Sequence, residues 1–483
     1  MSSRRLPVPE KGFFKHLLIL AVPMVLQNLI TFLVGFADNI MVGTLRETAI
    51  SGVYIGNQVQ TILQMIVIGV DSAMLILAAQ YWGAKNTDSI KKLLVIALSI
   101  SAGLAVILSV VVFTAPYGVM HLFTQDEAVI GEAMRYVTYV RWTYILFVSS
   151  QILLTGMRSV EKVRIGMYTS FISLGVNVVL NYIFIFGKLG APAMGVAGAG
   201  LATLISRIVE FGIAFGYVLF IDGRLHFRLP DFIRSDRKLW ADFFRYGAPV
   251  IAGWIVWGIN NAFQGAVVGS MGSSVTAAVS IYSNCSQMAN VILSGVSGAL
   301  GIITGQLAGA GEVERVKNHA RLAQLLLLGI GVSGCILINL IKTPFIRLYS
   351  VSEETVVIAR QILTSFSFLF IGTCVQGHAM GCTVKPGGDT RFVFINDTIF
   401  VFLFVIPAAA LCRYVWNLAP WIVFTVLKSD EVLKWPVAFI KINSFNWIHN
   451  LTRSEESPDQ NKLPAEPEAA DHFRSGKDRS SRA

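Results

Sequence analysis

Carboxylates and carboxamides set inside long apolar runs are the residues with chemistry to offer. Asp38 ends a stripe of Asn28, Thr31 and Gly35 spaced i, i+3, i+7 and i+10, one face of a helix. Asn57, Thr61, Gln64 and Asp71 form a second stripe, and Ser283, Gln287, Asn290, Ser294 and Ser297 a third. Ser173, Asn177 and Asn181 share a face in another run, and Asp397 stands in an otherwise apolar stretch. A polar side chain turned to lipid costs free energy, so such stripes mark faces turned to protein or water. An acid placed there can exchange a proton near neutral pH, or hold Na⁺ together with amide and carbonyl oxygens. Either chemistry couples an ion gradient to conformation. Asparagine and serine also hold membrane helices together by hydrogen bonds, so the functional expectation rests on Asp38, Asp71 and Asp397.

Trp254, Trp257 and Tyr282, with Trp142 and Tyr139, could offer ring faces to an organic cation. Arg207 and Glu210, spaced i, i+3, read as a structural ion pair. No GxxxxGK[ST], HExxH or GxSxG pattern occurs, which speaks against nucleotide binding and against hydrolysis by this chain. The five cysteines, Cys285, Cys335, Cys374, Cys382 and Cys412, lack a CxxC pair and read as packing residues. An enzyme, a resident metal and a cofactor are therefore not expected, beyond Na⁺ or H⁺ as coupling ion.

The elements that must position these groups follow from composition. The chain has 483 residues, 54% hydrophobic and only 14% charged, against roughly 25% charged in soluble proteins. With a mean hydropathy of +0.62, this predicts an all-α polytopic membrane protein. Lys and Arg, although they leave a net charge of +10, are dispersed between apolar runs, which encodes topology and not nucleic-acid binding. Twelve spans are expected to begin near residues 17, 51, 93, 136, 165, 197, 247, 277, 322, 356, 392 and 417. The twelfth carries Lys428, Asp430, Glu431 and Lys434, so it should lie at the interface or pack its charges against neighbours. The run from Leu17 is too long for the apolar core of a leader peptide and reads as the first membrane helix.

Alternate loops differ in basic residues. The N-terminus, Lys85/Lys91/Lys92, Arg158/Lys162/Arg164, the 222–246 connection, Arg315/Lys317/Arg321 and Lys385/Arg391 share one side, which the positive-inside rule assigns to the cytoplasm with both termini. The segment after Thr452 is polar and rich in Pro, Glu and Ser and is expected to be disordered.

A shift of 226 residues superposes the two halves without a gap over more than one hundred positions. Pro23 falls on Pro249, Gly43 on Gly269, Gln80 on Gln306, and Gly83-Ala84 on Gly309-Ala310. Trp254, Trp257, Asn261 and Gln264 map onto Asn28, Thr31, Gly35 and Asp38, so an acid in one half corresponds to a neutral amide in the other. Six helices per half is an even number, so the halves enter from the same side and are related by an axis along the membrane normal. The resulting plan is a cytoplasmic N-terminus at 1–16, an N-lobe at 17–221, a cytoplasmic connection at 222–246, a C-lobe at 247–452 and a cytoplasmic tail at 453–483. Two such lobes suit alternating access across the cytoplasmic (inner) membrane, and a monomer suffices.

Several segments, taken in order, resemble the bacterial branch of the multidrug and toxic compound extrusion (MATE) transporters. They are AVPMVLQNLITFLVGFADNIMVG (21–43), AAQYWGAK (78–85), NVVLNYIFIFG (177–187), GAPV (247–250), GQLAGAG (305–311) and GGDTRFVFIND (387–397). The resemblance implies export of cationic amphipathic drugs or toxic organic cations in exchange for Na⁺ or H⁺. It also implies that Asp38 is the principal coupling residue of the N-lobe, with Asn177 and Asn181 beside it, and that Asp397 is the acid of the C-lobe. Trp254 stands where related sequences often carry glutamate, and Asn181 where some carry aspartate. A flippase for lipid-linked oligosaccharides would demand cationic side chains for its diphosphate, which the polar stripes lack. A receptor or scaffold would need neither the buried acid nor a duplicated polar face.

Overall fold

The computed structural model describes residues 9, 11–233, 236–349 and 351–453. The expectations that touch Arg4, Arg5, Arg234 and the tail from 454 lie outside those residues. Twelve helical segments follow the apolar runs. The first six are α1 (Phe13–Gly43), α2 (Glu47–Gly83), α3 (Thr87–Thr114), α4 (Glu127–Val140, resumed as Thr143–Ser159), α5 (Val163–Phe186) and α6 (Val196–Ile221). The second six are α7 (Arg237–Gly269), α8 (Ser273–Gly309), α9 (Val313–Ile346), α10 (Glu353–Cys382), α11 (Thr390–Val415) and α12, which comes in three pieces, Pro420–Leu427, Asp430–Leu433 and Trp435–Ser444.

The duplication holds at the level of helix ends. Both ends of α2 map onto those of α8, and α1 and α7 stop at the paired glycines Gly43 and Gly269 with Pro23 and Pro249 inside them. Among the described residues nine helices are long and apolar enough to cross a membrane by length and composition. The other three of the twelve have local reasons for falling short. α4 carries Glu132 and Arg135 and is interrupted at Arg141, α7 carries Asn260, Asn261 and Gln264 within its apolar stretch, and α12 breaks around Lys428 and Lys434. All three nevertheless pack in the bundle, α4 against α2, α3 and α6, α7 against α2, and α12 against α10.

Three helices begin well before their apolar runs, α9 among them, which starts at Val313 instead of near 322. α7 starts at Arg237 instead of near 247, because its first turns bury Leu239 and Phe243 while Asp236 caps the end by accepting from the Lys238 N–H. α4 starts at Glu127 instead of near 136, capped by Asp126, which accepts from Ala128 N–H at 2.9 Å. Hydropathy marks membrane depth, whereas a capped amphipathic turn extends the helix beyond it.

The lobes α1–α6 and α7–α12 meet through α1 on α8, α2 on α7, and α2 on α8. Their contacts repeat with the same 226-residue symmetry: Ile251 packs on Gly69, and Val25, its mate, on Gly295. At the end that carries the basic loops, Gly83 lies against the Gln306 carbonyl and Gly309 against the Gln80 carbonyl, so closely that a Cβ at either would overlap the oxygen. Side chains tie the same end. Gln80 Nε2 donates to Pro386 O at 2.7 Å and His449 O at 3.2 Å, and its Oε1 accepts from Leu451 N–H at 2.7 Å, while within the C-lobe Asn450 Nδ2 donates to Gly309 O at 3.2 Å. Leu451 is buried in the N-lobe core. Farther from that end, Thr31, Thr61 and Gln64 of the N-lobe and Ser283 and Gln287 of the C-lobe are exposed.

Candidate functional site

Five helices of the N-lobe each contribute a polar side chain to one cluster. Asp38 lies near the end of α1, while Asn177 and Asn181 are buried one turn apart on α5. Asn181 Nδ2 donates to Asp38 Oδ1 at 2.5 Å and to Asn177 Oδ1 at 3.1 Å, so one amide holds carboxylate and neighbour together. The Arg207 guanidinium on α6 acts on Asp38 electrostatically and is itself paired with Glu210 Oε2 at 2.5 Å. It also stands over the Phe147 ring, 5.0 Å from the centroid. From α4, Tyr136 donates its hydroxyl to Asn57 Oδ1 of α2 at 3.1 Å and feels the charges of both Asp38 and Arg207. Gln151, also on α4, reaches Glu210 Oε1 at 3.5 Å.

What this arrangement can do follows from its donors and acceptors. Asp38 meets an amide N–H and a nearby cation, both of which favour the carboxylate, while burial opposes it. Among the described residues, Asn181 Oδ1 is buried without a hydrogen-bond partner.

The remaining stripe residues divide. Asn57 joins the cluster, but Thr61 Oγ1 donates to the Asn57 carbonyl of its own helix at 3.0 Å, and Thr31 Oγ1 to that of Gln27 at 3.0 Å. Asn28 is half-buried and Gln64 exposed. Asp71 departs from the stripe: its Oδ1 is enclosed beside Thr155 and Arg158 of α4. On α8, Gln287 Nε2 reaches Ser283 Oγ at 3.5 Å and Asn290 Nδ2 donates to Ser286 O at 2.8 Å, both within the helix. Tyr282 is partly buried. It packs edge-on to Phe366 and Phe424, with centroids 4.8 and 4.6 Å away, because its position on α8 turns it into the C-lobe core. Trp254 and Trp257 form an edge-to-face pair at 5.7 Å, with Trp254 against the N-lobe core and Trp257 half-exposed.

The C-lobe acid is not alone. Lys434 of α12, buried to 4% exposure, donates to Asp397 Oδ1 at 3.1 Å and to Asp430 Oδ2 at 3.0 Å. Lys385 and Glu431 interact electrostatically with this group. Of the charges in the twelfth span, Lys434 and Asp430 thus pack inward and pair with each other, Lys434 also with Asp397. A separate cavity of about 670 Å³ opens at the basic end, lined in part by Lys11, His16, Lys85, Arg224 and Arg315.

Residues 23–183 and 249–411 match the MatE family, one copy in each lobe. The chain belongs to the MatE family. It is 24% identical over 407 residues to the multidrug resistance protein MdtK of Edwardsiella ictaluri, covering 84% of this chain and 89% of that one. To the probable multidrug resistance protein NorM of Thermotoga maritima it is 26% identical, covering 78% of this chain and 82% of the relative. Among solved structures, a MOP superfamily transporter from Pyrococcus furiosus superposes with a TM-score of 0.79 at 20% identity, over 89% of this chain and 96% of that one. The bent form of the Vibrio cholerae MATE transporter VcmN does so at 0.78 and 16% identity, over 90% and 98%. The fold is accordingly the twelve-helix, two-lobe transporter fold, and this MatE protein is a membrane transporter and not an enzyme.

In this MatE protein several neighbours of the site were not visible as such from sequence. Tyr136, Gln151 and the Arg207–Glu210 pair come to Asp38 from helices far away in the chain. Arg207 and Glu210 do form the expected ion pair. The available signal was their position, two opposite charges within an otherwise apolar span.

Proposed function

We propose that this protein is an antiporter that exports cationic amphipathic compounds through the cytoplasmic membrane, with both termini inside, in exchange for protons bound at Asp38. The observation that carries the reading is the Asp38 cluster: a carboxylate held by Asn181 beside a cationic Arg207. Arg207 also supports H⁺ over Na⁺, since Na⁺ needs several oxygen ligands and is repelled by a neighbouring guanidinium, whereas a proton needs one oxygen. The lobes are tied at the basic end, which the distribution of Lys and Arg places inside, so this conformer fits the outward-open stage. There a proton displaces the organic cation from the N-lobe, and differential binding in the two conformers converts the inward gradient into export. A monomer completes this cycle.

The flippase reading fits less well. The lobes do hold cationic side chains, but Arg207 is paired with Glu210 and Lys434 with Asp397 and Asp430, which leaves little for a diphosphate. The test is efflux of tetraphenylphosphonium from proteoliposomes with pH and Na⁺ gradients imposed separately. The reading expects efflux driven by the pH gradient; Na⁺-driven efflux would change the ion, and none under either gradient across several organic cations would sink it.

A further inference from the structure

The cavity of about 670 Å³ at the basic end stands apart from the Asp38 cluster and has the size of a ligand pocket, roughly 300–1,000 Å³. Among the described residues, four Lys and Arg side chains line it, Lys11, Lys85, Arg224 and Arg315, against one carboxylate, Glu312. Arg315 pairs with Glu312, and Arg224 lies 3.4 Å from Glu161 and 5.4 Å from the centroid of Trp82. The side chains of Lys11 and Lys85 have no partner among the described residues. An organic cation would be repelled by this lining, so the cavity calls for an anion.

Lysines at a cytoplasmic face ordinarily serve topology. The internal duplication shows that Lys85 does more. Lys85 sits in the left-handed region at φ 60°, and its mate at +226, Gly311, at φ 74°. The backbone bears out the match, since Lys85 N–H donates to Trp82 O and Gly311 N–H to Ala308 O. Glycine takes this conformation freely, whereas lysine meets a steric cost. The turn itself therefore favours glycine, and the lysine at the cavity's edge is kept against that preference. Trp82, whose ring faces Arg224, likewise stands where the second copy has Ala308. The space is also unequal between the copies. Phe13, His319 and Leu322 line the cavity, whereas their mates Leu239, Leu93 and Ile96 are buried together in the N-lobe core. The same architecture can fill this space, and here it leaves it open.

Gly83 and Gln306, whose backbones meet where the lobes cross, both line the cavity. Lys11 and Lys85 belong to the N-lobe side and Arg315 to the C-lobe, so an anion between them touches both lobes. We propose that this cavity binds a phosphate-bearing anion, which bridges the lobes and holds the basic end closed. A phosphate brings the negative charge and the several acceptor oxygens that the excess of cations requires. Its contacts with both lobes exist together only while this end is closed, so it binds this conformer more tightly and shifts the population toward it. The phosphate can belong to a phospholipid headgroup, with apolar Phe13, Ile303 and Leu307 beside its chains, or to a soluble compound.

The test is calorimetric binding to the purified full chain in detergent, with dihexanoylphosphatidylglycerol, dihexanoylphosphatidylcholine and inorganic phosphate as probes. Binding of phosphatidylglycerol alone supports the proposal with a lipid source, and binding of inorganic phosphate supports it with a soluble one. Phosphatidylcholine binding as tight as phosphatidylglycerol, or no binding of any probe, overturns it. Lys85→Gly, which takes the residue of its mate and relieves the left-handed turn, should keep or raise the Tm yet weaken binding about tenfold. Lys11→Gln tests the same loss where Lys85→Gly fails to fold. Wild-type affinity in the folded variant overturns the proposal. So does an equal loss in Lys238→Gln, which removes an exposed cation at the same end but outside the cavity. The closing role is read at the far end, as maleimide labelling of a cysteine at the exposed Gln64, which the bound probe should speed at least about twofold. Binding without that increase overturns the bridging role. Neither readout uses a gradient or an exported cation, so the result is independent of the antiport reading.

Discussion

Gln80 and Gln306, mates across the duplication, reach over the lobe boundary in opposite directions: Gln80 Nε2 donates to Pro386 O at 2.7 Å, and Gln306 Nε2 to Ser159 O at 3.5 Å. The first is strong and the second marginal by its length. Gln80 adds bonds to His449 O and from Leu451 N–H, so it is the main polar tie. Replacing it by alanine removes three hydrogen bonds worth about 0.5–1.5 kcal/mol each. Gln80→Ala should therefore favour opening at this end, read as at least tenfold faster maleimide labelling of a cysteine at Ser159. Gln306→Ala should change that rate much less.

Gly83 and Gly309 allow α2 and α8 to cross backbone to backbone. An added methyl meets a carbonyl oxygen held in a helix, which cannot swing aside. Either Gly83→Ala or Gly309→Ala should push the lobes apart at this end, increase labelling there and slow net export. Distances between spin labels across the boundary check this; unchanged distributions in both variants would contradict the closed crossing.

Lys434 neutralises two acids at once. Removing one partner of a buried ion group costs about 3–5 kcal/mol, because the others stay buried and unpaired. Lys434→Met should lower the Tm in detergent clearly, and adding Asp397→Asn and Asp430→Asn should recover much of the loss. If Asp397 instead served as a free coupling acid, Lys434→Met would leave stability unchanged.

At the basic end, Glu161 accepts from His16 Nε2 at 3.3 Å and lies 3.4 Å from Arg224. The His16 hydrogen bond, aided by the charges of His16 and Arg224 and opposed by burial, holds its carboxyl below the usual glutamate range. A lowered folded-state pKa gives stability that is present above the ordinary value and lost as pH falls through the lowered one. Both partners are partly exposed, so the contribution is under about 1 kcal/mol. Melts of wild type and Glu161→Gln should differ at pH 7 and converge below the carboxylate range.

Much of the fold was legible in the chain because the repeat leaves marks at helix ends. Gly43 and Gly269 stop equivalent helices, and Pro23 and Pro249 sit at equivalent depths. The early starts of α4 and α7 were harder to see, since their first turns are amphipathic and their caps, Asp126 and Asp236, look like ordinary loop residues. In the candidate site, Asp38, Asn177 and Asn181 emerged from stripes and resemblance. Tyr136 and Arg207 did not, because helical periodicity tells which way a side chain faces and not which distant helix it meets. Asp71 shows the same limit: its spacing matches the α2 stripe, yet Thr155 and Arg158 of α4 stand beside it.

The central claim is that Asp38 couples an ion gradient to export. Its most direct test is ethidium efflux from proteoliposomes under an imposed pH gradient, wild type against Asp38→Asn, with ethidium binding in detergent measured in parallel. Asparagine keeps the size of the side chain and its contact with Asn181 but cannot exchange a proton. The account predicts that gradient-driven efflux falls to the level of empty vesicles while ethidium binding persists; wild-type efflux in Asp38→Asn would contradict it.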